Sequence, residues 1–288
     1  MQKKKDDLPV QRLLIPNYIL KISRFLTWLS PTLASRFAAK LFLKPFKYKI
    51  PEREKEMDCN SEQENLILPK SKKQIRLYTY GTSSKKVLLV HGWSGSGTQM
   101  SKIAKAIVAQ GYSTISFDAP AHGKMKGNFS MMLYFIESIH FLNHKYGPFE
   151  AVVGHSLGGI STLRAVKEGL HTEKLILIGT ANSINKITRD FATNMDMNNK
   201  VAALMRNYLE NKLGEEMEEY SGAISAENIN NSTLIFHDED DVDVSVQDAY
   251  EIHATLKNSE LIITKGLGHR RILGNPEVIN KITTFITA

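Results

Sequence analysis

The amino-acid sequence predicts an α/β fold with a mostly parallel sheet and helices on both of its faces. Short runs made only of apolar residues, such as 87–90 and 151–153, are typical of strands buried on both sides. Stretches with helical spacing of apolar residues follow these runs, so strands and helices alternate along the chain. With 288 residues, 42% hydrophobic and 23% charged, the chain is long enough for one large globular domain.

The elements follow from these patterns in chain order. Residues 51–65 are charged and are expected to form a loop. The next two apolar runs flank a polar segment at 69–73, which predicts an antiparallel pair. Strands are predicted at 66–68, 74–80, 87–90, 113–117, 151–153, 175–178, 233–236 and 261–264, and helices at 100–110, 131–145, 157–168, 246–256 and 276–286.

The alternation of strands and helices stops at Gly179. Residues 180–232 are richer in Asn, Met and Glu and contain two weak helical patterns, near 187–195 and 199–213. We therefore expect a small helical cap inserted between two strands of a domain that spans residues 51–288.

Residues 1–50 form a distinct basic segment. Residues 1–55 contain 13 Lys and Arg against 4 Asp and Glu, a net +9, so the rest of the chain carries −2 of the total +7. Apolar residues recur at helical spacing with a break near Pro31, which predicts an N-terminal helical arm. The pattern comprises Ile19, Ile22, Leu26, Leu29, Leu33, Phe37 and Leu41, with Lys21, Arg24, Arg36 and Lys40 among them.

Two interpretations of this arm stay open. Its apolar face could pack on the main domain, or it could lie on an anionic membrane surface with its basic side chains toward the headgroups. Basic residues interrupt every window of 20 residues, so a membrane span is not expected. The segment also lacks the apolar core and cleavage site of a signal peptide.

The amino-acid composition limits the metals, cofactors and macromolecular partners that we expect this protein to bind. Cys59 is the only cysteine, which excludes a disulfide framework and a thiolate metal site and fits a reducing cytoplasm. The acidic run at 238–243 lacks the glycine and the final glutamate of a calcium loop, so we expect no metal site there. No nucleic-acid-binding motif is found, and the sequence gives no reason to expect a nucleic acid partner or a cofactor.

The chemistry is expected around residues 154–158, where Gly-His-Ser-Leu-Gly fits the pattern G-x-S-x-G. A buried strand precedes this motif and a helical pattern follows it. Such a strand-to-helix turn lifts a serine hydroxyl to the edge of the sheet as a nucleophile. Ser156 is therefore the candidate nucleophile.

A serine hydroxyl needs a base to accept its proton and a carboxylate to orient that base. Among nine histidines, His269 is the candidate base because it lies in a glycine-bounded loop just after the last strand. His155 is expected to point away from Ser156, and His91 and His122 to hold turns by hydrogen bonds. Asp241 is the candidate acid on spacing, with Asp240 as the alternative.

The oxyanion of the reaction needs fixed hydrogen-bond donors. The backbone N–H of Leu157, at the start of the helix, is the first candidate. The second is the backbone N–H of Trp93 in the turn after strand 87–90, whose indole would be free to line an acyl pocket.

These motifs resemble those of the α/β-hydrolase-fold serine hydrolases of the lid-bearing type, which include carboxylesterases and lysophospholipase-like enzymes. The resemblance covers about residues 74–288 and excludes the arm. It departs at Ala121, where the family usually has glycine, and at His237-Asp238, where His-Gly is more usual. It rests on residues 91–93, 118–123, 154–159, 237–244 and 268–269, in the order Ser156, Asp241, His269.

The resemblance implies an α/β-hydrolase fold and hydrolysis of a small-molecule carboxylic ester through an acyl-enzyme on Ser156. Thioester, amide, lactone or carbon–carbon bond cleavage and acyl transfer use the same groups and stay open. An inactive hydrolase fold that only binds ligands is the alternative of another class. The Met- and Leu-rich insertion, Trp93 and the basic arm favour an apolar acyl group, and the oligomeric state is left open.

Overall fold

The centre of the molecule is a single β-sheet. The structure is a computed structural model and describes residues 9–288. Within these residues the strands are β1 (Glu62–Ile67), β2 (Gln74–Tyr80), β3 (Lys86–Val90), β4 (Ser113–Asp118), β5 (Phe149–His155), β6 (Thr172–Ile178), β7 (Ser232–Asp238) and β8 (Ser259–Thr264). Their order in the sheet is β1-β2-β4-β3-β5-β6-β7-β8.

The sheet is mostly parallel. β1 pairs with β2, and β2 with β4, in antiparallel register, and all other neighbours are parallel. The apolar runs in β3 and β5 are fully buried, as expected for strands with both faces covered. The α/β fold predicted from alternating strands and helices is confirmed.

Helices precede, connect and follow these strands along the chain. Within the described residues they are α1 (Val10–Leu14), α2 (Asn17–Leu29), α3 (Pro31–Phe42), α4 (Glu52–Asn60), α5 (Ser101–Ala109), α6 (Met132–Tyr146), α7 (Leu157–Lys167), α8 (Ile184–Asn194), α9 (Asn199–Leu213), α10 (Gly222–Ala226), α11 (Val246–Thr255), α12 (Gly268–Arg271) and α13 (Pro276–Thr287). Two 3₁₀ turns, Met217–Tyr220 and Ile272–Gly274, complete the set.

One side of the sheet is covered by α5 and α13. Val87 and Leu89 of β3 and Val153 of β5 pack there against Ile103 of α5 and Ile282 of α13. Side chains alternate along a strand, so the intervening residues of β3 face the other side of the sheet. The parallel strands are thereby held in a core that fixes where their carboxyl ends lie.

The chain separates into two compact units. The larger one comprises residues 45–182 and 222–288 and contains the whole sheet. In the described part of the other unit, residues 9–44 pair with residues 183–221 of the insertion. There α3 packs against α9, small residues of α3 such as Ala34 and Ala38 are buried, and Phe42 meets Phe191 edge-on at 5.2 Å.

The expectation of a loop at 51–65 is wrong. Residues 52–60 form α4, which begins after Pro51, and β1 starts at Glu62. An ion pair of 2.6 Å joins Lys55 to Glu52 one turn earlier, and Glu54 and Met57 are buried. The sequence shows no helical pattern of apolar residues here, because only these two side chains of α4 face inward and most of the others are charged. The loop expected around His269 is likewise a short helix, α12.

Within residues 9–288, the helices are all too short or too polar to cross a membrane.

Candidate active site

The candidate site lies where the strand order reverses. β3 has β4 on one side and β5 on the other, so the chain leaves β3 and β5 in opposite directions along the sheet. This geometry opens a crevice at the carboxyl ends of the strands, where α/β sheets bind ligands. The turn that begins at His91 follows β3, and Ser156 follows β5.

Ser156 occupies the turn between β5 and α7. Its backbone has φ 54° and ψ −118°, a conformation that costs on the order of 1–3 kcal/mol in a residue with a side chain. Its N–H donates to the carbonyl of Ile178 at 2.9 Å. A Cβ on Gly158 would overlap the carbonyl oxygen of Val90. The motif glycine therefore lets α7 begin directly against β3.

His269 and Asp241 are joined by a short hydrogen bond. Nδ1 of His269 donates to Oδ2 of Asp241 at 2.7 Å, and both side chains are buried. Oδ1 of Asp241 accepts from the backbone N–H groups of Asp243 and Val244, each at 2.9 Å. Because the carboxylate is anchored and accepts the Nδ1 proton, Nε2 of His269 is the atom left to act as a base.

The neighbouring carboxylates contact different groups. Oδ2 of Asp240 accepts from the N–H of Gly266 at 3.0 Å. The buried side chain of Asp238 accepts from the Thr264 hydroxyl at 2.7 Å and from the N–H groups of Leu267 and Gly268 at 3.0 and 2.8 Å. Asp238, which departs from the family pattern, thus holds the segment that leads to His269.

The pKa of Asp238 follows from this environment. Burial on its own would raise the pKa of the carboxyl group. The hydrogen bonds from Thr264, Gly268 and Leu267 favour the charged form and outweigh burial, so the pKa is lowered from its ordinary value. The carboxylate of Asp238 is therefore charged at neutral pH in the folded protein.

Ser156 and His269 are brought to the same place by their neighbours. A Cβ on Gly179, the residue after Ile178, would lie 3.2 Å from Nδ1 of His269. Gly179 has φ 55°, which favours glycine. His155, next to Ser156, donates from Nε2 to the backbone carbonyl of His269 at 2.9 Å. Ser156 and His269 therefore both lie at the carboxyl end of β6.

The turn after β3 also reaches Ser156. A Cβ on Gly92 would lie 3.0 Å from the Cβ of Ser156, which places the following residue, Trp93, beside the candidate nucleophile. Leu157 is the first residue of α7, and the first N–H groups of a helix have no partner within it. The two candidate oxyanion donors thus belong to segments that flank Ser156.

His91 fixes this turn. Its Nδ1 donates to the carbonyl of Gly92 at 2.7 Å, and its Nε2 accepts from the N–H of Ala119 at 3.1 Å. These roles require a neutral ring with its proton on Nδ1. Burial lowers the pKa of His91, which favours that neutral form.

The turn at 118–123 is held by Asp118, which is fully buried. Its carboxylate accepts from the N–H of Gly97 at 2.7 Å, the N–H of Lys124 at 2.8 Å and the Tyr78 hydroxyl at 2.9 Å. Burial, and then the Asp118 charge, raise the pKa of Tyr78 well above its ordinary value. Ala121 has φ 63°, a backbone conformation that glycine adopts most readily.

The buried position of Glu54 is not predicted by the sequence pattern. It lies on α4, which was expected to be a loop, and is buried. Oε2 accepts from the hydroxyls of Ser96 and Thr98 at 3.1 and 2.8 Å, in the segment that continues from Trp93. An apolar residue three positions later, Met57, was the available signal for a helix that turns this face inward.

Within residues 9–288, no cluster of three or more His, Cys, Asp or Glu side chains is arranged to hold a metal ion. The candidate site consists of a serine, an imidazole and a carboxylate with backbone donors around them.

Comparison with solved structures identifies the fold. An esterase from Pyrococcus furiosus matches with a TM-score of 0.63 and 17% identity, over 85% of this chain and 97% of that one. An esterase from Exiguobacterium antarcticum matches at 0.61 and 15%, over 77% and 98%. A serine hydrolase from Cycloclasticus zankles matches at 0.57 and 19%, over 79% and 98%. The fold is that of the α/β hydrolases.

Residues 81–259, more than half of the chain, match the family model described as serine aminopeptidase, S33. The chain belongs to this family of α/β-hydrolase serine hydrolases, as the resemblance in its motifs predicted. A search of curated protein sequences finds no match. Family and fold together make this protein a hydrolase of the α/β type.

Proposed function

We propose that this protein is a serine hydrolase that cleaves carboxylic esters of small molecules through an acyl-enzyme on Ser156. The observation that carries the proposal is the 2.7 Å hydrogen bond from His269 to Asp241. It orients the imidazole with Nε2 available at the end of the sheet where Ser156 occupies its positive-φ turn.

In the first step, Ser156 Oγ attacks the ester carbonyl while His269 Nε2 takes the hydroxyl proton. Asp241 keeps the imidazole in the required tautomer and stabilises the imidazolium that forms. The N–H groups of Trp93 and Leu157 donate to the oxyanion. His269 then returns the proton to the departing alcohol, which leaves Ser156 acylated.

In the second step, water loses a proton to His269 and attacks the acyl carbonyl. The tetrahedral intermediate uses the same two backbone donors. It collapses as His269 protonates Ser156 Oγ, which releases the carboxylic acid and restores the enzyme. Each proton taken by the imidazole is thereby returned within the same half-reaction.

The ester substrate is supported by the similarity to the Pyrococcus furiosus and Exiguobacterium antarcticum esterases. The family description favours a second candidate, removal of an N-terminal residue from a peptide. Both reactions proceed through an acyl group on serine, so the substrate assay separates them, and the site geometry serves either.

The test is hydrolysis of p-nitrophenyl acetate and butyrate, with aminoacyl p-nitroanilides measured in parallel. We expect ester turnover that Ser156→Ala abolishes and that Ser84→Ala, an exposed serine away from the site, leaves unchanged. A fluorophosphonate probe should label the native protein and the Ser84 variant but not the Ser156 variant. Full turnover by Ser156→Ala would refute the mechanism, whereas turnover of the anilides alone would assign the second candidate.

A further inference from the structure

Helix α2 turns an apolar face to solvent. Tyr18, Phe25 and Trp28 are 63%, 56% and 79% exposed, and Ile22 and Leu29 are exposed with them. Tyr18, Ile22, Phe25 and Leu29 are spaced by three or four residues, so they form one row along the helix. We call these five residues the α2 row. A contiguous row of large exposed apolar side chains marks an interaction surface.

The opposite face of α2 is the one that packs. Leu20 and Ser23 are buried there, and the neighbouring α3 buries small residues, among them Ala34 and Ala38. The apolar stripe expected to pack therefore differs from the face that does, because Ile22 and Leu29 of that stripe point outward. Within residues 9–288, the α2 row therefore stays exposed to solvent.

Two ion pairs join α1 and α2 to the insertion. Asp196, between α8 and α9, accepts from Arg12 at 2.8 Å through one oxygen and from Arg24 at 2.7 Å through the other. The arm is thus attached to the insertion within the same unit through its arginines. The α2 row is therefore the exposed face of a helix whose other face packs within its own unit.

The charged residues of the segment that carries the α2 row all have one sign. Residues 9–44 contain six basic residues and no acidic ones. Lys21 is exposed and lies three residues after Tyr18 and four before Phe25, beside the row, and Arg36 is exposed on α3. The basic residues are Arg12, Lys21, Arg24, Arg36, Lys40 and Lys44. An apolar row on a helical segment whose charged residues are all basic is complementary to an anionic surface with an apolar interior.

We propose that α2 docks parallel to the surface of a membrane that contains anionic lipids. Phe25, Trp28 and Leu29 would enter the boundary between headgroups and acyl chains, with Lys21 and Arg36 toward the lipid phosphates. Tyr and Trp carry a polar group on an apolar ring, as is typical of residues at this boundary. A helix of 13 residues is about 20 Å long, too short to cross a hydrocarbon core of about 30 Å.

The test is sedimentation of the full chain with vesicles of phosphatidylserine and phosphatidylcholine, compared with vesicles of phosphatidylcholine alone. We expect binding to the anionic vesicles that weakens as salt is added. The variant Phe25→Ala/Trp28→Ala should lower the partition coefficient about ten-fold or more. Tyr250→Ala, an exposed aromatic of the larger unit, is the matched control and should bind as the native chain does.

A second pair of variants separates charge from apolar contact. Lys21→Glu/Arg36→Glu should remove the preference for anionic vesicles, whereas Lys70→Glu, an exposed lysine of the larger unit, should retain it. Circular dichroism confirms that each variant is folded. Equal binding by the aromatic variant, or no binding by the native chain, would overturn the proposal. Dimerisation that depends on Phe25 and Trp28, without vesicle binding, would overturn it in favour of a second copy of the chain.

Discussion

The imidazole of His155 donates a hydrogen bond from Nε2 to the backbone carbonyl oxygen of His269, over 2.9 Å. The two rings lie 4.7 Å apart between centroids. His155 is buried, and burial together with the nearby His269 holds its pKa well below the ordinary value. The residue beside the candidate nucleophile thus acts as a neutral donor that positions the candidate base.

Loss of this donor should impair the reaction without preventing substrate binding. For His155→Ala we expect kcat on p-nitrophenyl butyrate to fall by about 10- to 100-fold, since a small misplacement of a reacting group has an effect of this size. KM should change little, because the ring of His155 is buried and hydrogen-bonded to the backbone of His269. His253→Ala, on α11 and away from the site, is the control. An unchanged kcat in the His155 variant would contradict the positioning role.

Asp241 and Asp240 differ in the groups from which they accept hydrogen bonds. Asp241→Asn should lower kcat by about 10³- to 10⁴-fold, because the amide no longer selects the imidazole tautomer with a proton on Nδ1. Asp240→Asn keeps an acceptor for the N–H of Gly266, so its kcat should stay within about threefold of the native value. Steady-state kinetics of the two variants measures both, and the reverse result would make Asp240 the acid.

The position of His269 leaves little room for a side chain at residue 179, so glycine is required there. In Gly179→Ala the new Cβ would meet Nδ1 of His269 at 3.2 Å while the residue keeps φ 55°. We expect kcat to fall at least about tenfold and the free energy of unfolding to fall by about 1–2 kcal/mol. Gly111→Ala is a matched control, since Gly111 has φ 84° and no heavy atom within 4 Å of a Cβ.

The control should share the loss of stability and keep its activity. Urea unfolding and p-nitrophenyl butyrate turnover, measured on both variants, separate backbone strain from contact with His269. Equal loss of activity in the two variants would mean that the contact has no part in the effect.

The sequence predicts the sheet and the positions of its site residues because both depend on local patterns. Buried strands such as β3 are continuous apolar runs, and the G-x-S-x-G motif marks a strand-to-helix turn by itself. The sequence favours Asp241 over Asp240 by spacing alone, whereas the structure shows the different contacts of the two side chains, Asp241 with His269 and Asp240 with Gly266. The hydrogen bond from His155 to His269 joins positions 114 residues apart and has no sequence signal.

The arm and α4 show which structural features apolar periodicity does not predict. Helical periodicity identifies α2 and the break at Pro31, but it gives no direction for the apolar face. In α3 the buried residues are alanines and serines, which contribute little to an apolar pattern, while the large residues of the α2 row stay outside. In α4 the charged residues outnumber the inward-facing ones, so the pattern resembles a loop.

Buried histidines make stability depend on pH in the weakly acidic range. Burial lowers the pKa of His91, His122 and His155 below the ordinary value of 6.5. The unfolded chain therefore binds protons below pH 6.5 that the folded chain does not, and the folded state loses stability as pH falls. For His91 the reason is structural, since protonation of Nε2 would break its bond from Ala119.

We expect the free energy of unfolding to be constant between about pH 7 and 9 and to fall below pH 6.5 by up to about 1.4 kcal/mol per pH unit for each buried histidine. Asp238 contributes in a separate window, because its lowered pKa removes stability only below its ordinary value of 3.8. Urea unfolding between pH 7.5 and 5 isolates the histidines. His122→Asn should make the slope shallower, with the exposed His144→Asn as its control, and a native slope of zero in this range would contradict the assignment of neutral buried rings.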